Sequence, residues 1–262
     1  MDQQKTSKHI SFANPSPYRT PPLGINCVEY GWGNLARVHA HATDADATGF
    51  NVNIDTNTTL TSGGCTWFDE ALYDPDYAFG TLDTEEVRSL VNPQKSTSKY
   101  IHFSHSFSEP PRIVVWLVGF SINGTSGRNI RIRTYASEVG CDGFRIHIDT
   151  WSNTILYWGK VSWIAMPLFK HGVVIGKYST NDIRNWEDPR LTNSSFTTFG
   201  GHAFSKPPKV YTGLASLDLF SEKTLRLKTW CGDVRNYGMS WHIDSWANSI
   251  LYSAEAAHIA VE

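Results

Sequence analysis

The sequence predicts an all-β chain of three tandem six-stranded antiparallel β-sandwich domains, and three observations predict it. One compound pattern of aromatic, proline, arginine and glycine residues occurs three times within 262 residues. Between its fixed points, short segments alternate apolar and polar side chains, as half-buried strands do. No segment keeps a 3.6-residue apolar period over helix length; TEEVRSLV (84–91) reads as one short turn.

Each copy opens with an aromatic three residues before a Pro-Pro pair: Tyr18 before Pro21-Pro22, Phe107 before Pro110-Pro111, Phe204 before Pro207-Pro208. The proline pairs read as punctuation at a strand edge. An arginine follows 15 to 20 residues after the second proline, at Arg37, Arg131 and Arg226. Thirteen residues beyond it an apolar side chain stands behind a glycine: Gly49-Phe50, Gly143-Phe144, Gly238-Met239. The segments FNVNIDT, FRIHIDT and MSWHIDS come next, and the later copies continue as WSNTILY (151–157) and WANSILY (246–252). Matching positions of these two copies lie 95 residues apart throughout, from Arg131 and Arg226 to Tyr157 and Tyr252. So long a shared register marks a true internal repeat.

The strands are clearest in the middle copy, as Ile113-Val115-Leu117, Ile130-Ile132-Thr134 and Phe144-Ile146-Ile148, with turn-formers at 121–127. About six such strands in roughly 70 residues point to a small antiparallel sandwich. The leaders GTLDTEEVR (80–88) and GKYSTNDIR (176–184) resemble each other, and the first copy has no counterpart. The copies therefore divide the chain at 1–75, 76–170 and 171–262.

Composition narrows the function. Charged residues make up 18% of the chain and the net charge is −2, so no basic excess exists to hold nucleic acid. Cys27, Cys65, Cys141 and Cys231 are widely spaced and read as buried free thiols. The N-terminus lacks the apolar core of a signal peptide and no segment is long and apolar enough to span a bilayer, so no membrane insertion is expected. The expectation is synthesis in the cytoplasm with a non-classical release route open, leaving the sequons at Asn57, Asn123 and Asn193 unused. Aromatics reach 13%, with ten tryptophans, and suit both strands and stacking on sugar rings.

In HIDTWSNTILY, His147, Asp149 and Trp151 share one face while Ile146, Ile148 and Thr150 share the other. The isoleucines belong to the core, which leaves the tryptophan beside polar groups on the wet side. The third copy repeats this layout with His242, Asp244 and Trp246, and with Tyr252 in the place of Tyr157. An aromatic face covers the C–H patch of a sugar ring, and the planar fork of an arginine binds vicinal hydroxyls. His147 and His242 lack a third ligand at metal spacing, so neither a metal site nor a cofactor is expected.

The order of Pro-Pro, Asn-x-Arg, Gly-Phe and Thr-Trp-x-Asn-Thr-x-x-Tyr resembles the H-type lectin domain. The resemblance covers 98–167 and 196–262 well and 8–68 more weakly. It implies a six-stranded antiparallel sandwich that assembles in threes and binds galactose or N-acetylgalactosamine near subunit boundaries, without catalysis. The family's sugar-contacting arginine falls on Arg131 and Arg226, its tryptophan on Trp151 and Trp246, and its tyrosine on Tyr157 and Tyr252. Asn153 and Asn248 occupy the motif asparagine. Ser152 and Ala247 stand where snail members carry histidine, a departure that bears on the N-acetyl contact. The family's upstream Gly and Asp fall loosely on Gly80 with Asp83, and on Gly176 with Ser179 or Asp182. In the first copy Arg37 persists, but the tryptophan is deleted and Thr61 stands at the tyrosine position. Asp149 and Asp244 recur as Asp55 there, which favours a fold or interface role for them.

Three copies in one chain lead to the expectation of an intrachain pseudo-trimer with sites at its seams, multivalent for glycans bearing terminal galactose or N-acetylgalactosamine, and open to further self-association. Two other classes stand beside it: an adhesion module that keeps the fold and binds a protein, and a glycoside hydrolase using a pair such as Asp149 and Glu138.

Overall fold

The computed structural model describes residues 5–16, 19–31, 33–57, 59–201 and 203–262. Tyr18, the aromatic of the first Pro-Pro signal, lies outside them. The first copy supplies β1 (Lys5–Ser11), β2 (Leu23–Tyr30), β3 (Leu35–Thr43), β4 (Gly49–Thr56) and β5 (Leu60–Trp67), and a short α1 (Glu70–Tyr73) that no sequence pattern announced. The second supplies β6 (Ala78–Asp83), β7 (Ser96–His102), β8 (Arg112–Asn123), β9 (Ile130–Ser137), β10 (Gly143–Asp149) and β11 (Leu156–Met166). The third supplies β12 (Val173–Ser179), β13 (Ser194–Thr198), β14 (Lys209–Leu219), β15 (Leu225–Arg235), β16 (Gly238–Asp244) and β17 (Leu251–Val261). All pairings given for these strands are antiparallel, as the alternating patterns require.

Within the second copy, the triple β6-β11-β8 faces the triple β7-β10-β9. Phe144 of β10 packs edge-on against Trp163 of β11, with centroids 5.3 Å apart. Gly159 of β11 lets Ile148 of β10 approach so closely that a Cβ there would lie 2.9 Å from it. Phe144, Ile146 and Ile148, the apolar face read from the sequence, are fully buried. In the third copy Tyr178 of β12, stacked on Trp241 of β16, makes a contact between the triples.

Each triple also continues, by strand pairing, into strands from another copy. One sheet runs β1-β4-β3-β8-β11-β6, the second β7-β10-β9-β14-β17-β12, and the third β13-β16-β15-β2-β5. The joining pairs are β3–β8, β9–β14 and β15–β2. They lead from first copy to second, second to third, and third back to first. Among the described residues the third sheet has five strands: no strand stands beside β5 as β6 stands beside β11 and β12 beside β17.

The segment read as one short turn is a single 3-10 turn, Thr84–Glu86, matched by Thr180–Asp182 in the third copy. Asp83 and Ser179 cap these turns: their side chains accept from the Glu85 and Asn181 amides, while Glu86 and Asp182 accept from the Asp83 and Ser179 amides.

His258 of β17 occupies the place that Trp163 holds in β11, facing Gly176 as Trp163 faces Gly80. It is 4% exposed and its Nδ1 has no hydrogen-bond partner. Burial pushes its pKa down to about 4. The fold therefore holds it neutral, whereas the unfolded chain protonates it near the ordinary value of about 6.5. Stability is full above that value and falls as pH drops from about 6.5 towards 4. His258→Phe is expected to flatten this decline, read as denaturant midpoints at neutral and acid pH; equal declines in both proteins would remove His258 as its cause.

Candidate functional site

The three arginines that mark the repeats all lie on the joining strands. Arg37 stands opposite Ser121, Arg131 opposite Asp218, and Arg226 opposite Glu29. Arg131 Nε lies 3.0 Å from Asp218 Oδ2, with only 14% and 11% of the two side chains exposed. Its Nη1 donates to Asn153 Oδ1 at 3.0 Å. Arg226 repeats both contacts, with Glu29 at 2.8 Å and Asn248 at 2.9 Å. Each arginine thus ties the loop after a tryptophan to the strand of another copy. Burial pushes the Asp218 carboxyl upward, against the pull of Arg131. Arg37 meets a serine instead of an acid and its side chain is exposed.

Two and four residues further along each strand, the same face presents a second set. In the second copy it is Arg133 and Tyr135, in the third Lys228 and Trp230, in the first His39 and His41. Tyr135 stacks on His147 at 4.4 Å and donates to Asp149 Oδ2 at 3.0 Å. Trp230 stacks on His242 at 3.7 Å and donates to Asp244 Oδ2 at 3.0 Å. Asp149 and Asp244 therefore orient the aromatic rings. The hydrogen bond to Asp149 raises the Tyr135 pKa, after desolvation as the larger cause.

Between the second and third copies these residues line a cleft of about 600 Å³. The second copy supplies Arg133, Tyr135 and Trp151, and the third supplies Lys177, Ser179, Asn181, Ser216, Ser253 and Glu255. Lys177 and Glu255 pair at 3.0 Å. The chain turns directly after each tryptophan through a left-handed residue, Ser152 at φ 57° and Ala247 at φ 55°. That turn leaves Trp151 and Trp246 half-buried beside the cation-bearing strand.

The structure separates residues that spacing had grouped. Tyr157 lines another cleft, of about 560 Å³, between the first and second copies, together with Arg37, His39, Asp83 and Trp158. Its hydroxyl accepts from Asn123 Nδ2 at 3.1 Å. Tyr252 meets the edge of Trp186 at 6.3 Å. Gly80 borders an adjoining hollow with His39, His41 and Lys160. Gly80 and Gly176 are packing glycines: a Cβ would lie 2.9 Å from Trp163 in one case and 2.6 Å from His258 in the other. Asp83 also accepts from Trp158 Nε1 at 2.8 Å. Asn57 stands where the first copy lacks its tryptophan, and its Nδ2 donates to the Leu35 carbonyl at 3.0 Å.

Arg133, Tyr135, Lys177 and Glu255 are among the cleft residues that the sequence motif does not mark. Strand period two from Arg131 already put the first two on its face. Lys177 and Glu255 come from another copy, and no local pattern carries that.

The H-type lectin domain model matches residues 98–166 and 194–261. A comparison with curated proteins finds no match. Among solved structures, native recombinant discoidin II of Dictyostelium discoideum aligns with 70% of this chain and 95% of its own, at 14% identity and a TM-score of 0.29. So low a score carries no argument. The two matched stretches cover more than half of the 262 residues, in the two copies that keep the full strand pattern, and the chain belongs to the H-type lectin domain family.

Proposed function

We propose that this chain is a non-catalytic lectin for terminal galactose or N-acetylgalactosamine, with its sites at the seams of an intrachain pseudo-trimer of domains 1–75, 76–170 and 171–262. The observation that carries the reading is the cleft of about 600 Å³ joining Trp151, Arg133 and Tyr135 to the hydroxyl and charged groups of the third copy. An axial hydroxyl leaves one face of galactose rich in C–H groups, which an indole covers. The half-exposed Arg133 fork meets vicinal hydroxyls, and Ser179, Ser253 and Glu255 supply donors and acceptors across the seam. Arg131 is already engaged by Asp218 and Asn153, so it braces the site while Arg133 reaches the sugar. The third seam repeats the parts as Lys228, Trp230 and Trp246. Closure of the strand pairing from copy to copy supports the pseudo-trimer, and several shallow sites on one particle raise avidity without new contacts.

The test is titration of galactose and N-acetylgalactosamine into the whole chain. Trp151→Ala and Arg133→Ala are each expected to weaken binding at the second cleft by about tenfold or more, equivalent to about 1.4 kcal/mol. Adding Trp246→Ala should abolish agglutination while the far-UV spectrum stays native. Wild-type binding by the folded double tryptophan variant would overturn the site, and no binding of either sugar by the wild type would favour the protein-adhesion reading. Glu138 is paired with Arg145, and Asp149 is held by Ser96 and Tyr135, so these carboxylates have structural partners rather than a shared reaction centre.

A further inference from the structure

The first seam departs from the other two at one cluster. His39 and His41 share a face of β3, and the register of the β3–β4 pair sets Asp55 opposite His39. One ligand atom from each residue lies within 4.8 Å of the other two. The imidazoles stack at 4.8 Å, and His41 Nδ1 lies 3.5 Å from Asp55 Oδ2. His39 Nε2, His41 Nδ1 and Asp55 Oδ1 are all buried without a hydrogen-bond partner. Three buried polar atoms left in that state within one cluster point to a ligand.

The matching positions in the other copies show what differs. Asp149 accepts from Ser96 at 2.7 Å and Tyr135 at 3.0 Å, and Arg133 lies 3.7 Å away. Asp244 accepts from the Asn193 amide and Trp230, with Lys228 in register beside it. In the first copy His41 replaces the aromatic donor and His39 replaces the cation. Lys5 stands in register with Asp55 on the edge strand, yet Asp55 Oδ1 remains unpartnered. Lys160, across the hollow, is 3.8 Å from Asp83.

We propose that His39, His41 and Asp55 bind one divalent transition-metal ion of the zinc class, in the place where the other copies set a side-chain cation beside the aspartate. Two imidazole nitrogens and a carboxylate oxygen are a ligand set for such ions, and three protein ligands leave a coordination position open. Both histidines line a hollow of about 560 Å³, which gives the ion a route in. Metal–ligand bonds of about 2.0–2.2 Å hold tetrahedral ligand atoms roughly 3.3 Å apart, so side-chain rotation of about 1 Å closes the shell. Trp158 meets His39 edge-on at 5.0 Å and fixes one ring.

The experiment uses the full chain without a histidine tag, stripped by chelator and titrated with zinc chloride at neutral pH by calorimetry. One equivalent per chain is expected, with a zinc-dependent rise in melting temperature. Asp55→Asn and His41→Ala should each weaken binding more than about 100-fold, beyond the cost of changing a ligand's supporting partner. His147→Gln and His242→Gln should bind zinc as the wild type does. Absence of zinc binding in the wild type overturns the proposal, as does unchanged binding in folded Asp55→Asn and His41→Ala. Sugar binding at the second cleft is scored separately, so either reading can fail alone.

Discussion

Trp116→Ala is expected to cost about 3–5 kcal/mol of folding stability, the range for deleting a buried large aromatic. The ring is fully buried, and its Nε1 donates to the Ala257 carbonyl at 2.9 Å. It lies against Gly24 of the first copy and Gly213 of the third, where added Cβ atoms would come within 2.9 and 2.8 Å of it. Trp116, Gly24 and Gly213 occupy matching positions, paired with Ser162, Thr66 and Ala257. Three identical subunits would put three identical side chains there. A single chain can instead place one indole at the meeting point and no side chain at the other two positions. The converse follows: Gly213→Val should lose roughly 1–3 kcal/mol by overpacking. Combined with Trp116→Ala it should lose less than the sum, because the two changes share one space. Denaturant unfolding measures all three. A loss below about 1 kcal/mol in Trp116→Ala, or full additivity of the pair, would contradict this account.

Much of this fold was legible because strand alternation and turn chemistry are local. Phe144, Ile146 and Ile148 declared the buried face, and the 95-residue register declared the repeat. What alternation cannot supply is the neighbour of each strand: it assigns a face, not a partner. The continuation of β9 into β14 was hidden for that reason, and with it the burial of Arg131 against Asp218. Arg131 and Arg133 look equivalent in sequence, two residues apart on one face. A residue from another copy decides which is buried in an ion pair and which keeps its side chain half exposed.

The same limit explains Tyr157. Six residues from Trp151 is close in sequence, but the turn after Trp151 sends the chain into β11, which belongs to the other sheet. The tyrosine therefore faces Arg37, not Arg131. His39, His41 and Asp55 were legible only in part. The two histidines alternate visibly, whereas Asp55 comes to them through hairpin register, across sixteen positions from His39.

Arg184→Ala is expected to lose roughly 3–5 kcal/mol, because it removes charge-assisted bonds and strands buried acceptors. The side chain is 7% exposed. Its Nη1 and Nη2 donate to the carbonyls of Tyr252 and Leu251 at 2.8 and 2.9 Å, and its Nε donates to Asn193 Oδ1. Arg88 makes the same connections in the second copy, to Tyr157, Leu156 and Thr97, each at 2.9 Å. Burial pulls both guanidinium pKa values down from their usual range. These arginines end the two leaders and tie them to the strand that follows each tryptophan turn. Lysine keeps the charge but not the planar fork, so Arg184→Lys should recover less than half of the loss. Ser179 and Asn181 lie on the leader that Arg184 anchors, and both line the cleft of about 600 Å³. If the proposed cleft binds sugar, Arg184→Ala should therefore weaken that binding more than Arg88→Ala does at similar cost in stability, because only the leader of Arg184 lines the cleft. Equal sugar affinities in the two folded variants would show that the leader does not position the cleft wall. A loss below about 1 kcal/mol in either would show that these carbonyls find other donors.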